Sequence, residues 1–408
     1  MLSKKPELLA PAGDLTKLKT AIDYGADAVY IGGKAFSLRT ASDNFSREEM
    51  EEGVRYAHAK GKKCYAALNI IAHNDDLKEL ESYLKELQDC GIDAVIVADM
   101  GIFDIVRKKA SSLPVHISTQ ASNTNYASVS FFKELGAKRI VLARELSFRE
   151  IHEITQKVPD VEIEAFVHGA MCVSYSGRCL LSNYMAGRDS NKGDCAQPCR
   201  WKYSLVEEKR PGEYMPVYED DRGTFLFNSK DLCMIEYIGE LVKAGVTSFK
   251  IEGRVKSEYY VATVVKAYRD AIDEYFEGKP FDPRHIEELR KISHRQYTSG
   301  FYFDKPKDTA QVYATSSYIR DYELIGTSIA YDDEKKELTL EQRNRFFLGD
   351  EVEILMPGEP FYCMKITDMK NEWNETIEVA PHPQMKVKIP CDKKIYPGSF
   401  IRKKKPLV

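Results

Sequence analysis

The apolar and polar positions of the chain repeat one arrangement, in which a helical pattern ends at a glycine and a short apolar run follows. Four copies carry the arrangement in full, at Ala21–Gly33, Leu87–Asp99, Phe132–Arg144 and Leu241–Gly253. Glycine adopts the left-handed conformation that ends many helices, and a Val/Ile-rich run is typical of a strand buried on both faces. Each copy therefore predicts a helix that leads into a parallel strand.

Four further apolar runs lack the complete arrangement but also predict strands, at Glu7–Gly13, Lys62–Ile70, Pro114–Gln120 and Val161–Gly169. Helical patterns separate these runs, as at Asp75–Cys90, where leucines recur at helical spacing. Eight alternating strand and helix units favour an α/β fold with a closed, TIM-like (β/α)8 barrel. An open, doubly wound sheet is the alternative.

The connection between the seventh and eighth predicted strands spans about eighty residues, far more than one helix and its loops need. It contains a cysteine-rich insertion at about 169–240. After a long helical pattern at Ile251–Gly278, prolines mark a boundary, and beyond it apolar and polar residues alternate between turns. We predict a barrel domain at 1–280, a linker with helical character at 281–306 and a small antiparallel β-barrel domain at 307–408.

The composition is that of a globular protein. Of the 408 residues, 43% are hydrophobic and 30% are charged, and no window approaches the roughly 20 apolar residues of a membrane span. The first residues lack the apolar run of a signal peptide, so we expect a cytoplasmic protein with no membrane partner. The net charge of -4 predicts no general attraction to nucleic acid, so RNA binding would use local basic patches.

Active sites of such barrels lie at the carboxyl ends of the strands. This rule predicts a polar rim formed by Asn69, Asp99, Gln120, Arg144, Glu145, His168, Glu252 and Arg254. Arg144, Arg254 and Arg178, which lies in the insertion, are candidates for binding carboxylates or phosphates, because guanidinium offers a planar fork of donors. The alternative is that these arginines form ion pairs within the rim. His168 and Glu252 are the candidates for catalytic proton transfer.

Nine cysteines cannot pair completely, and a reducing cytoplasm disfavours disulfides. Five of them lie in the insertion: Cys172, Cys179, Cys195, Cys199 and Cys233. Their spacings lack the C-x2-C knuckle of common zinc sites and suit an iron–sulfur cluster held between the rim and a folded-over loop. The alternative role, a small buried side chain, suits Cys64 and Cys90 better than it suits this polar stretch.

A peptidase would need an activated nucleophile, or zinc with an open coordination position. The sequence contains no HExxH or GxSxG motif. His168 and Cys172 would be the pair for a Cys–His mechanism, but closeness in sequence does not by itself supply the required hydrogen bond. The sequence therefore favours metal or cluster binding at this position.

Several longer motifs carry a resemblance to a known family. The stretch "EAFVHGAMCVSYSGRCLLSNY", which begins at Glu164, resembles the signature of the peptidase U32 family, also called collagenase-like proteases. The segments "ELLAPAGD", "DAVYIGG", "STQASNTN", "GDCAQPCRW" and "SFKIEGR" resemble it as well. The β-rich C-terminal part looks like that family's C-terminal barrel domain, which is similar to translation-factor-type barrels.

The resemblance implies a function different from the family name. Members similar to this chain serve the prephenate-dependent synthesis of 5-hydroxyuridine at the wobble position of tRNA, and related members hydroxylate ribosomal RNA or ubiquinone precursors. In those relatives four cysteines hold a [4Fe-4S] cluster, and their pattern corresponds here to Cys172, Cys179, Cys195 and Cys233. Cys199 is the alternative to Cys195, and zinc is the alternative metal.

We therefore expect a tRNA uridine hydroxylase with tRNA and prephenate as its substrates. Prephenate carries two carboxylates, so more than one arginine would be useful in binding it. A collagenase-like peptidase is the first alternative. The second is a cluster-carrying, non-catalytic subunit of an RNA hydroxylation complex, because some relatives work in pairs, and its partner would be a second U32-family chain.

Overall fold

A computed structural model gives the fold of the protein. It describes residues 4–33, 44–171, 181–188, 195–196, 198, 230–303 and 319–405, together with the backbone of short strands between 202 and 225. No helix in these described ranges is long and apolar enough to cross a membrane.

Eight parallel strands alternate with helices along the first part of the chain. The strands before the insertion are β1 Glu7–Pro11, β2 Ala28–Ile31, β3 Lys63–Leu68, β4 Ala94–Val97, β5 Val115–Ile117, β6 Arg139–Val141 and β7 Glu162–Ala170. The helices between them are α1 Leu15–Asp23, α2 Arg47–Ala59, α3 Leu80–Asp89, α4 Met100–Lys109, α5 Tyr126–Glu134 and α6 Phe148–Lys157.

The described part of the insertion contains α7 Leu181–Ala186 and the short strands β8 Lys202–Tyr203, β9 Leu205–Val206, β10 Tyr214–Met215, β11 Glu219–Asp220 and β12 Gly223–Phe225. It is followed by β13 Asp231–Cys233, α8 Ile238–Lys243, the eighth barrel strand β14 Ser248–Ile251, α9 Glu258–Phe276, α10 Arg284–Arg290 and β15 Tyr297–Thr298. Among the described residues, short 3-10 helices occupy Asp76–Glu79, Thr119–Ala121 and Ile235–Tyr237.

The parallel strands form a closed barrel, which confirms the predicted fold. Strand β14 pairs in parallel with both β1 and β7, so the sheet has no free edge between its first and last strands. The four glycines of the repeated sequence pattern all have positive φ, from 80° at Gly91 to 110° at Gly25. They end their helices in the left-handed region, where a side chain would be strained, and so direct the chain into the next strand.

The C-terminal part forms an antiparallel half-barrel, as the alternating pattern predicts. Its strands are β16 Tyr322–Asp332, β17 Glu337–Gln342, β18 Phe346–Phe347, β19 Glu351–Leu355, β20 Tyr362–Lys365, β21 Val379–Ala380, β22 Lys386–Pro390 and β23 Phe400–Lys404. Six of them form one sheet in the order β20-β19-β23-β16-β17-β22, around an apolar core of its own.

A buried arginine joins this β domain to the helices of the barrel. Arg402 on β23 has no exposed surface; it donates to Glu353 on β19 at 2.8 Å and to Glu288 on α10 at 2.5 Å. Lys291 also contacts both carboxylates, and the Tyr24 hydroxyl at the end of α1 donates to the carbonyl of Leu355 at 3.0 Å. Ion pairs and a hydrogen bond thus fix the β domain against α1 and α10.

The barrel interior contains a charged network that the sequence interpretation did not include. Arg139 donates to Glu162 at 2.7 Å and to Glu164 at 3.1 Å, and it also contacts Glu7. Glu164 accepts at 2.7 Å from Lys250, and both of these side chains are buried. Because an unpaired charge inside a protein is costly, each charge here depends on its neighbours.

Buried His116 on β5 should make stability depend on pH. Burial, reinforced by the positive charge of Arg139, lowers the pKa of His116 to about 3. The unfolded chain therefore binds a proton below about pH 6.5 that the folded chain does not bind, so the free energy of unfolding falls as pH falls toward 3. Between about pH 6.5 and pH 3, His116 should make the free energy of unfolding change by up to about 1.4 kcal/mol per pH unit, and His116→Gln should remove this contribution.

Urea unfolding between pH 7 and pH 4 measures this slope. His152→Gln is the matched control, because the His152 side chain is exposed on α6 and its surroundings change little on unfolding. If the free energy of unfolding depended on pH equally in wild type and in His116→Gln, the buried His116 would not be the cause of the pH dependence.

Candidate active site at the barrel rim

The carboxyl ends of the barrel strands carry the predicted polar residues. Asn69, Asp99 and Gln120 follow β3, β4 and β5, while Arg144 and Glu145 follow β6. His168 lies near the end of β7, and Glu252 and Arg254 follow β14. The structure thus arranges all eight around the end of the barrel at which enzymes of this architecture hold their substrates.

Two glycines bring the segment after β14 against its neighbours on the rim. A Cβ atom on Gly13 would lie 2.2 Å from the carbonyl oxygen of Arg254, and one on Gly169 would lie 2.7 Å from that of Glu252. Gly169 also has φ +111°. Any larger residue would push this segment away, so the glycines fix the places of Glu252 and Arg254, residues that are only 6% and 4% exposed.

Arg144 and Lys250 place two cationic groups beside one aromatic ring. The Arg144 guanidinium lies 3.9 Å from the ring centroid of Phe166, and the Lys250 ammonium lies 5.5 Å from the same centroid. Arg144 donates to the carbonyl of Ala170 at 2.8 Å, while its Nε has no partner among the described residues. The ring and the guanidinium offer a flat apolar face next to an available donor, which suits a ring-bearing carboxylate.

The ammonium of Lys250 is a feature that the sequence interpretation missed. Burial lowers the pKa of Lys250, although the contact with Glu164 acts in the opposite direction. The available signal was the motif "SFKIEG", in which a lysine interrupts an otherwise apolar strand at the inward-facing position two residues before Glu252.

Glu145 and Asn69 present further polar atoms on the rim. Burial raises the pKa of Glu145, and its Oε2 has no hydrogen-bond partner among the described residues. Asn69 donates to Gln120 at 2.6 Å, while its own Oδ1 is buried and unpartnered in the described structure. Buried polar atoms without partners are rare in folded proteins, so these atoms are well suited to receive a ligand.

Asp99 has a structural role. Its Oδ1 accepts from the backbone N–H groups of Gly101 at 2.8 Å and Ile102 at 3.0 Å, which caps α4. An aspartate before a helical pattern is a known capping signal, so the sequence contained this information.

His168 is buried in an aromatic cage. Its ring centroid lies 5.6 Å from that of Tyr268, 5.5 Å from that of Tyr297 and 6.1 Å from that of Tyr260. Burial lowers the pKa of His168 to about 3, so the imidazole is neutral near pH 7, and its Nδ1 has no partner among the described residues. Tyr260 and Tyr268 belong to α9, on the outer side of the barrel wall.

Two of the predicted cysteine ligands, Cys195 and Cys233, lie within the described residues, and neither forms a disulfide. Cys233 on β13 pairs with His168 on β7, directly at the rim. Cys195 is exposed, and the next residue, Ala196, donates its N–H to the Ser182 hydroxyl of α7 at 2.9 Å. Cys172, Cys179, Cys199 and Arg178 lie outside the described residues. The parts that are described contain no group of three or more side chains that could hold a metal ion.

The surroundings of Cys233 fit a cluster ligand. Burial raises the pKa of the Cys233 thiol to about 12, while the backbone N–H of Ile235 and the Tyr268 hydroxyl act in the opposite direction. The hydroxyl oxygen lies 3.9 Å from Sγ. Donors beside the sulfur are the groups that stabilise a thiolate ligand and tune an iron–sulfur cluster.

Comparison with known proteins shows the family. The profile of Peptidase family U32 matches residues 13–312, and that of the Peptidase family U32 C-terminal domain matches residues 320–402. The chain belongs to the peptidase U32 family, as its motifs predict.

Several relatives bear names that refer to RNA. The chain is 44% identical to tRNA hydroxylation protein P1 of Bacillus subtilis over 99% of its own length and 96% of that protein. It is 39% identical to tRNA hydroxylation protein P of Escherichia coli, over 92% of each chain. It is also 40% identical to the 23S rRNA 5-hydroxycytidine C2501 synthase of Escherichia coli, over 68% of this chain and 41% of that one.

Proposed function

We propose that the protein is a tRNA-modifying enzyme that hydroxylates the wobble uridine to 5-hydroxyuridine, with prephenate as its co-substrate. The observation that carries this proposal is the 44% identity with a tRNA hydroxylation protein along nearly the whole of both chains, through the barrel and the β domain. The same proposal places the protein in the cytoplasm, where its tRNA substrate occurs.

The rim supports an anionic co-substrate with a ring. Prephenate has two carboxylates and a six-membered ring, and Arg144, Lys250 and Phe166 offer cationic groups beside an aromatic face. Arg254, held by the segment that contacts Gly13, is the candidate for the second carboxylate, together with Arg178. Arginine is suited to both places because its fork of N–H groups matches a carboxylate.

Hydroxylation at C5 of uridine breaks a C–H bond, forms a C–O bond and oxidises the base by two electrons. Prephenate would supply the oxygen and accept the two electrons, and a base on the protein must accept the proton released from C5. Glu252 and His168 stay our candidates from the sequence. We add Glu145, whose Oε2 is buried and free of described partners. A carboxyl group whose pKa is raised by burial is better matched to proton exchange near neutral pH than an ordinary one.

We further propose that Cys172, Cys179, Cys195 and Cys233 hold a [4Fe-4S] cluster at the rim, with Cys199 as the alternative to Cys195. A bound cluster would supply electron transfer at the reacting centre. The residues of this chain would hold it next to the end of β7, since Cys233 pairs there with His168.

Mass spectrometry of tRNA nucleosides tests the function. Cells that lack the gene should lose 5-hydroxyuridine, and the wild-type gene should restore it. Arg144→Gln should restore at least about tenfold less at limiting prephenate, because a charged hydrogen-bond donor to a carboxylate contributes about 1.5–3 kcal/mol. The matched control is Arg149→Gln, because Arg149 is exposed on α6.

Unchanged 5-hydroxyuridine in cells without the gene would overturn the proposal. If the metal-free protein also cleaved gelatin, the peptidase function would be favoured. If the purified chain were inactive and a lysate restored its activity, the chain would be a cluster-carrying subunit that acts with a second U32-family protein.

A further inference from the structure

One edge of the β domain exposes two arginines and a phenylalanine at alternate positions. Arg343, Arg345 and Phe347 are exposed, while the intervening Phe346 and the preceding Gln342 are buried. Phe347 is 46% exposed, and the Lys403 ammonium lies 5.3 Å from its ring centroid. We call Arg343, Arg345, Phe347 and Lys403 the arginine edge.

Backbone hydrogen bonds hold the arginine edge in one shape. The N–H of Arg343 donates to the carbonyl of Ile325 at 2.8 Å, and the Asn344 side chain donates to the carbonyl of Leu324 at 2.7 Å. The N–H of Phe347 donates to Asp350 at 2.9 Å. A surface that is already ordered loses little conformational entropy when it binds a partner.

The charges of this edge are only partly neutralised. Arg343 contacts Glu341 at 3.0 Å, and Lys403 contacts Asp350 at 2.7 Å. The described residues provide no ion pair for Arg345, whose guanidinium is therefore open to an external anion. A free guanidinium two residues from an exposed aromatic ring suits a partner that offers both phosphates and flat bases.

The arginine edge lies beside the barrel rim. Glu258 begins α9, a few residues after the rim segment that contains Glu252 and Arg254. The next residue of α9, Tyr259, has its ring centroid 5.9 Å from that of Phe400 on β23. Strand β23 pairs with β16, on which the carbonyl of Ile325 accepts from the N–H of Arg343. The arginine edge is thus joined to the strands that pack against the start of α9, next to the rim segment.

We propose that the arginine edge is an RNA-binding surface that holds the tRNA while the target nucleotide enters the rim. Arg343 and Arg345 contact backbone phosphates, and the exposed ring of Phe347 stacks on a base. Single-stranded RNA, as in an anticodon loop, is bound in this way because its bases are free to stack on aromatic side chains. The inference rests on the proposed function, since it assumes tRNA as the substrate.

Fluorescence anisotropy with an unmodified tRNA transcript tests the surface in the full-length protein. Arg345→Ala should weaken binding about fivefold to tenfold. It should also reduce by about one the magnitude of the salt slope, which is the slope of the logarithm of the binding constant against the logarithm of salt concentration. Phe347→Ala should weaken binding by about tenfold with the slope unchanged, and Phe347→Tyr should recover most of the affinity. Ultraviolet crosslinking should join RNA to the peptide that contains Phe347.

Lys335→Ala is the matched control. Lys335 is an exposed cation in the turn between β16 and β17, at the opposite end of that strand pair from Arg343. Its removal should leave affinity within about twofold. Prephenate binding should be unchanged in the variants of the arginine edge, which separates RNA binding from the chemistry of the rim.

If wild type binds tRNA while Arg345→Ala and Phe347→Ala retain full affinity, the arginine edge is not the RNA surface, and the proposed function stands. If wild type neither binds nor modifies tRNA, both proposals fail. Equal losses in Lys335→Ala and Arg345→Ala would overturn the specific surface in favour of general charge attraction. Unaltered thermal unfolding of each variant confirms that a loss of binding is not a loss of fold.

Discussion

Cys233→Ser is expected to lower the iron and acid-labile sulfide of anaerobically purified protein by at least about tenfold, and to abolish tRNA hydroxylation with them. The thiol of Cys233 lies on β13 at the rim, where the N–H of Ile235 and the Tyr268 hydroxyl approach the sulfur. A serine hydroxyl is a harder donor that does not ionise near neutral pH, so it cannot replace a cluster thiolate.

Cys363→Ser is the matched control, because Cys363 is an exposed thiol on β20 in the β domain. Cys195→Ser and Cys199→Ser, assayed side by side, decide which of these two thiols is a ligand. Stoichiometric zinc in the wild-type protein would contradict the cluster, as would full activity after Cys172→Ser and Cys179→Ser.

Glu164→Gln is expected to lower the free energy of unfolding by about 3–5 kcal/mol, because it leaves the buried charges of Lys250 and Arg139 without their shared partner. Glu164 has no exposed surface, and its two oxygens lie 2.7 Å from Lys250 and 3.1 Å from Arg139. Urea unfolding at pH 7 gives the difference directly.

Glu162→Gln provides the control, since Glu162 also pairs with Arg139 but is 35% exposed on its side chain. We expect it to cost no more than about 1 kcal/mol. The double variant Glu164→Gln with Lys250→Met should recover part of the loss by removing the unpaired charge. If Glu164→Gln were as mild as Glu162→Gln, the network would not stabilise the barrel.

The barrel could be predicted because its strands are buried on both faces. Such strands appear in the sequence as nearly continuous apolar runs, and the glycines that end the preceding helices, among them Gly25 and Gly91, mark where each run begins. The closure by β14 followed from the count of eight strands. The register of that closure did not, because it depends on a shift opposite His168 that no local pattern records.

The charged interior was missed for a similar reason. Glu162 and Glu164 alternate with apolar residues in "VEIEAFV", a pattern that reads equally well as an amphipathic strand with a solvent-exposed face. In the closed barrel this face points inward, and Arg139 and Lys250 on the neighbouring strands form ion pairs with Glu164. The local pattern of apolar and polar residues does not show which residues pair when they are far apart in the sequence.

The sequence predicted which residues of the candidate site lie on the rim, but it did not predict what each of them does there. The strand ends placed Arg144, Glu145 and Arg254 on the rim without further information. Tertiary contacts were needed to learn that Asp99 caps a helix and that His168 is enclosed by tyrosines, since two of those tyrosines come from α9, about a hundred residues later in the chain.

The buried Arg402 has a consequence for how a nucleotide is chosen. Because its contacts with Glu288 and Glu353 fix the β domain against the barrel, the span from Phe347 to the rim is constant. An RNA held at one end of that span would deliver to the rim only the nucleotide that lies the matching distance along its strand. The fixed distance would therefore select the nucleotide to be modified by its position in the RNA loop as well as by the identity of its base.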